Sequence, residues 1–157
     1  MSDQVKNAFI SHIHEDDADL VPLKDLAARE GCTVRDASIN SLSPNQAQSP
    51  EYIKSEILGP RIRWATVFIV LISSGTHDSE YVNWEIEYAH QQGKSIIGVW
   101  AHGAKDSDLP DNFEKYGDHL VGWQGRRIAD AIAGKVEPWE STSGAIRATR
   151  DISRHDC

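Results

Sequence analysis

The chain has 157 residues, a formal net charge of −8 and two cysteines, Cys32 and Cys157. That length suits one domain with a proper core, the acidic balance excludes a phosphate-backbone footprint and so a nucleic-acid partner, and two cysteines build neither a disulfide framework nor a cysteine-based zinc site. The longest apolar run, Ala65 to Ile72, is far short of a membrane span, and the charged, polar start lacks the apolar stretch of a signal peptide, so a soluble protein of the reducing cytoplasm with no membrane partner is expected.

Ala8–Ser11 reads as a short buried strand. Glu15, Asp16, Asp17 and Asp19 then crowd the first turn of a helix, where negative charge complements the helix dipole, and they read as a solvated helix start. Leu20, Leu23, Leu26 and Ala27 supply its apolar face and Gly31 its stop. Thr33–Arg35 is a second short strand, ending at Asp36. Ser38–Ser49 is polar, contains Pro44 and reads as a loop; Ser49 and Pro50 then give an N-cap and first-turn proline to a helix carrying Ile53 and Ile57, which Pro60 ends or bends.

Thr66–Ile72, TVFIVLI, is β-branched and continuously apolar, as a central strand buried on both faces must be. Ser73–Ser79 is a loop into the segment EYVNWEIEYAH at 80–90. There Val82, Ile86 and Ala89 form an apolar helical stripe, and Tyr81, Glu85 and Tyr88 repeat the spacing one step round. Glu85 is therefore expected on a half-buried flank beside aromatic rings, where a carboxylate can be partly desolvated. Ser95–Trp100, SIIGVW, is another buried strand; a polar loop runs through Pro110, a short edge strand lies near His119–Trp123, and a last helix covers Arg126–Ala133 with Gly134 as its stop. The domain is expected to span 1–136, with 137–157 a flexible, patternless tail.

Strands alternating with helices imply an α/β fold: a flavodoxin-like, doubly wound sheet of about five parallel strands in the order 2-1-3-4-5, with helices on both faces. Ligands in such sheets bind beyond the carboxyl ends of the strands at the switch point, here between the first and third strands. The loops that meet there are Ser11–His14 and Ser73–His77, with Asp36 close by and Glu85 in the early turns of the following helix. No dinucleotide fingerprint G-x-G-x-x-G follows a strand, and neither a P-loop nor a G-x-S-x-G elbow occurs. What remains is a crevice with a carboxylate, hydroxyls and aromatics.

NAFISHIHEDD at the first strand, RDAS at the second, TVFIVLISSGT at the third, YVNWEIEYA on the next helix and SIIGVW at the fourth strand together resemble the TIR-like domains of bacterial antiphage defence, especially the Thoeris TIR proteins, over residues 7–134. In TIR enzymes this helix carries an aromatic residue, three others, then a glutamate; Tyr81 and Glu85 match that spacing, with Tyr81 standing where the family usually has tryptophan. The resemblance implies an NAD glycohydrolase or cyclase that breaks the nicotinamide–ribose bond of NAD and releases an ADP-ribose product, often cyclised. NAD is then a substrate and no cofactor is implied. Glu85 would be the catalytic carboxylate, with Phe9, Ser11, His12, Asp36, Ser74, Thr76 and Tyr81 lining the nucleotide pocket. A separate effector protein would sense the product, and the domain could form a homo-oligomer.

Plainer readings stand beside these. Glu85 could be an exposed helix glutamate, and Asp36 with Ser38 could satisfy a turn. His12 and His14 look like half of a metal site on one strand face, but no third ligand is marked by spacing, so no metal is expected. Trp64, Trp100 and Trp123 read as core or sheet-edge packing. The chain could equally be a non-catalytic TIR interaction module, or an enzyme like the nucleoside deoxyribosyltransferases, which place a catalytic glutamate against a different sugar.

Overall fold

Parallel strands must be buried on both faces because each crossover lays a helix over the sheet, and VFIVLI at 67–72 meets that demand with six consecutive buried side chains. The computed structural model describes residues 4–36, 58–135 and 139–142. Strands β1 (Gln4–Ser11), β2 (Cys32–Asp36), β3 (Val67–Ile72), β4 (Ser95–Trp100) and β5 (His119–Val121) form one parallel sheet in the order β2-β1-β3-β4-β5. The expected flavodoxin-like, doubly wound order is the observed one.

Helices α1 (Leu20–Arg29), α2 (Gly59–Trp64), α3 (Glu80–Gln91), α4 (Asp111–Tyr116) and α5 (Gly125–Ile132) cover the sheet. The two-residue alternation of the strands divides the core. Phe9, Phe68, Val70 and Ile96 face α2, α3 and α4, meeting Ile62, Val82, Ile86 and Phe113. Ala8, Ile10, Ile69 and Val99 face α1 and α5, meeting Leu23, Ala27, Ile128 and Ala131. Gly31 and Gly134 follow α1 and α5 with φ of 84° each, the left-handed geometry that ends a helix at little steric cost.

Four sequence expectations change. The acidic segment after β1 is a 3₁₀ turn, His14–Asp19, and α1 begins only at Leu20. The polar stretch around Pro110 leads into α4, a helix short enough to be anchored by the single fully buried ring of Phe113. That ring fits because β4 carries Gly98: a Cβ there would lie 2.7 Å from Phe113 Cζ and 2.9 Å from Leu120 Cδ1. Pro60 stands in the first turn of α2, where its missing N–H leaves no bond unmade. The loop and helix read across Ser38–Ile57 lie outside the described residues.

The fourth change concerns the expected tail, whose residues 139–142 pack on the domain. Trp139 is 6% exposed and its ring lies 5.3 Å from that of Phe113. Glu140 N donates to Leu120 O at 2.9 Å, Gly122 N donates to Glu140 Oε1 at 2.7 Å, and Trp100 Nε1 donates to Glu140 O at 2.8 Å. This segment thereby supplies partners along β5, the sheet's edge. Trp100 is buried as expected, whereas Trp64 is 41% exposed, with the Arg35 guanidinium 5.6 Å above its ring, and Trp123 is half-buried against His102. Among the described residues no helix is long and apolar enough to cross a membrane.

Trp139→Ala is expected to lower the unfolding free energy by about 3 kcal/mol through the cavity it leaves, and Gly98→Ala by about 2 kcal/mol through overpacking against Phe113. Urea unfolding followed by tryptophan fluorescence measures both.

Candidate active site

Helix α3 starts at an N-cap serine: Ser79 Oγ accepts from Val82 N at 3.2 Å, and Glu80 places a negative charge in the first turn. The buried residues of the helix are Val82, Glu85, Ile86 and Ala89. Those spacings of three and four put Glu85 inside the sheet-facing stripe and not on the half-buried flank expected for it. It is only 6% exposed. Burial pushes its carboxyl up to about 8, while the hydrogen bond from Ser11 pulls the other way.

Ser11 is the last residue of β1 and points to the same side as Phe9, toward α3. Its hydroxyl is 1% exposed and donates to Glu85 Oε1 at 2.5 Å. β1 and β3 are neighbours, with Ser11 in register with Val70, so the pair forms at the carboxyl end of the strands on either side of the switch point. That is where a doubly wound sheet opens to ligands.

The other sequence candidates divide. Thr76 is fully buried in the loop after β3, its Oγ1 accepting from Ser73 N at 2.8 Å. Ser74 is exposed in that loop, and Tyr81 is 37% exposed one turn before Glu85. Phe9 is a core residue, 1% exposed and stacked on Phe68 with ring centroids 5.6 Å apart; strand alternation turns it into the layer under α3. Asp36 is used by the fold: its Oδ1 accepts from Ile10 N at 3.3 Å where β2 ends, and its Oδ2 lies 3.9 Å from Lys24 Nζ.

His12 lies past the end of β1, and His14 opens the 3₁₀ turn, so the two do not share a strand face. The His12 side chain is 3% exposed, with Nδ1 2.9 Å from Ile10 O and Nε2 2.7 Å from Asp17 Oδ1. Both ring nitrogens face oxygens of the protein itself, so the ring braces the turn.

Sequence reasoning missed a second buried acid. Asp16, in the run taken as a solvated helix start, is 6% exposed, and Ser73, immediately after β3, donates its hydroxyl to Asp16 Oδ2 at 2.5 Å. Ser73 belongs to one of the two loops expected at the switch point, Ser73–His77, whereas Asp16 lies just beyond the other, Ser11–His14. Nothing in the spacing of four acidic residues distinguishes the one that turns inward.

Keeping Glu85 buried costs stability in a pH window fixed by its raised pKa. Between the ordinary carboxylate value of 4.5 and about 8, the folded protein retains a proton that the unfolded chain releases, so stability falls as pH rises through that window. Glu85→Gln removes the penalty. It is expected to stabilise the protein at pH 7 by up to about 3 kcal/mol, with the advantage vanishing below pH 4.5; thermal unfolding of both proteins across pH 4 to 9 tests this.

The TIR-like domain of Thoeris protein ThsB matches residues 9–106, more than half of the chain. No curated protein matches it. Among solved structures, the CMP N-glycosidase BcmB of Clostridium botulinum is similar at a TM-score of 0.50 and 17% identity, covering 83% of this chain and 100% of that one. A 3-dehydroquinate dehydratase-like protein from Bifidobacterium longum is similar at a TM-score of 0.44 and 13% identity, covering 86% of this chain and 98% of that one. The N-glycosidase likeness speaks for the fold, and the match through β1, β3, α3 and β4, which includes Ser11 and Glu85, establishes that the chain belongs to the Thoeris ThsB TIR-like domain family.

Proposed function

We propose that the protein is a glycohydrolase or cyclase acting on the nicotinamide–ribose bond of NAD, with Glu85 as its catalytic carboxylate and the product serving as an antiphage signal read by a separate effector protein. The observation that carries this reading is the buried Ser11–Glu85 pair at the carboxyl end of the sheet's switch point. A helix carboxylate with a solvating role belongs in water; one held under a serine hydroxyl at a ligand-binding position is suited to chemistry.

The reaction needs a negative charge more than it needs an acid. The bond between the anomeric carbon and the nicotinamide nitrogen breaks with its electron pair going to nitrogen, so the cationic ring leaves as neutral nicotinamide without protonation. The sugar passes through an oxocarbenium-like state that a nearby carboxylate stabilises. Water then adds to the anomeric carbon and loses a proton to give ADP-ribose, or a nucleophilic nitrogen or hydroxyl of the same molecule adds to give a cyclic product.

Burial lifts the Glu85 carboxyl to about 8, which favours its protonated form at neutral pH. A bound pyridinium places a positive charge beside it and favours ionisation. Substrate arrival thus generates the charged form where it is needed, and Ser11, donating to Oε1, holds that oxygen in place. Tyr81, exposed one turn before Glu85, and Ser74, exposed in the loop after β3, are proposed contacts to the dinucleotide, while the buried Thr76 shapes that loop.

Incubation with NAD is expected to release nicotinamide, and Glu85→Gln to lower the rate at least a hundredfold while leaving the fold intact. kcat/KM is expected to rise with pH through about 8, following the free protein, and kcat to reach its plateau at lower pH. Absence of nicotinamide release across a broad range of protein concentrations, or a Glu85→Gln variant of full activity, overturns the proposal.

A further inference from the structure

We propose that Asp16 is a positioning residue of this site: through Ser73 and Thr76 it sets where helix α3 begins, and so how Glu85 meets Ser11. This rests on the reading of Glu85 as the catalytic group.

The two acid–hydroxyl pairs at the switch point are reciprocal. Ser11 from β1 donates to Glu85, which belongs to the helix after β3, while Ser73, just after β3, donates to Asp16, which belongs to the turn after β1. Each chain segment offers one hydroxyl and one acid to the other, and all four residues are buried. One pair lies against α3. The other ties together the two loops that frame its start.

A short series of contacts carries the effect of Asp16 forward. Ser73 N donates to Thr76 Oγ1 at 2.8 Å, and Thr76 N donates back to Ser73 O at 3.0 Å. Ser79 N donates to Thr76 O at 3.1 Å, and Ser79 is the N-cap of α3. Glu85 follows the cap by six residues, inside the first two turns. The path bends at Gly75, whose φ of 99° an L side chain rarely adopts, and a Cβ there would lie 3.4 Å from Ile13 Cδ1, on the turn that carries Asp16. Asp16 N in turn donates to Ile13 O at 2.9 Å, closing that turn.

A buried carboxylate bonded to a serine is costly unless its hydrogen bonds are made. Release of Ser73 from Asp16 would free the loop that ends in the cap, and Glu85 would lose its fixed depth beside Ser11.

A double-mutant cycle in urea unfolding at pH 7 decides the matter. Glu85→Gln is measured in the unmodified chain and in Asp16→Ala, with Ser73→Ala as the alternative background should Asp16→Ala fail to fold. The stabilisation given by Glu85→Gln is expected to fall by at least half in either background, because a loosened α3 start admits water to Glu85 and removes its desolvation penalty. Strict additivity overturns the proposal whether or not the protein cleaves NAD, while lack of nicotinamide release from the unmodified chain overturns only the reaction assigned above.

With activity present, Asp16→Ala is expected to lower kcat at least tenfold with KM altered less than threefold. Asp16→Asn, whose Oδ1 still accepts from Ser73, is expected to recover most of that loss. An Asn variant as impaired as the Ala variant overturns positioning, since it would mean that the negative charge itself acts on the substrate.

Discussion

The desolvation of one carboxylate organises the carboxyl end of this sheet. Glu85 occupies a helix position that geometry assigns to the core, between Val82 and Ile86 on the face α3 turns to the sheet. A leucine there would pack and cost nothing. The acid is tolerated because it sits where β1 ends and Ser11, the last residue of that strand, can donate to it. Protonated, it is a neutral, hydrogen-bonded group in an apolar layer; ionised, it is a charge with one strong donor and little water.

The surroundings maintain that condition. Strand alternation turns Phe9 into the layer beneath α3 and leaves Ser11 two residues later on the same side, so the hydroxyl arrives at the edge of a hydrophobic floor. Asp36 takes the backbone N–H of Ile10 where β2 runs out, and His12 is held between Ile10 and Asp17. Both secure the end of β1 and leave their own polar groups engaged. The residues flanking Ser11 thus contribute by fixing it. A strand end carries the hydroxyl and a capped helix carries the acid, an arrangement that holds the two groups more firmly than loops alone would.

At the β5 edge of the sheet, the segment 139–142 shows the same economy of polar partners. Glu140 accepts from the Gly122 amide at 2.7 Å and pairs with Arg127 at 3.4 Å, while Trp139 extends the core beyond Phe113. A short, acidic, tryptophan-bearing segment resembles a tail in composition, and only its partners on β4, β5 and α5 give it a place.

Hydrophobic period and punctuation carry the architecture in the sequence itself. TVFIVLI and SIIGVW can only be buried strands, Gly31 and Gly134 stop their helices through left-handed backbone, and the spacing of Val82, Ile86 and Ala89 sets which face of α3 looks inward. A parallel sheet with helices on both faces followed from these elements, its order being the usual one for five such strands, and the Tyr81–Glu85 spacing pointed to the acid. What the sequence could not decide was the fate of individual polar groups. Asp16 turns inward to Ser73, Glu85 is buried and not flanking, Phe9 is a core ring, His12 is held between Ile10 and Asp17, and α4 forms around one ring opposite Gly98. Each outcome depends on a partner distant in the chain, 57 residues away for Asp16 and 74 for Glu85. A local pattern reports a residue's periodicity, whereas the burial of a polar atom depends on whether a donor or acceptor meets it, and only the folded sheet brings those partners together.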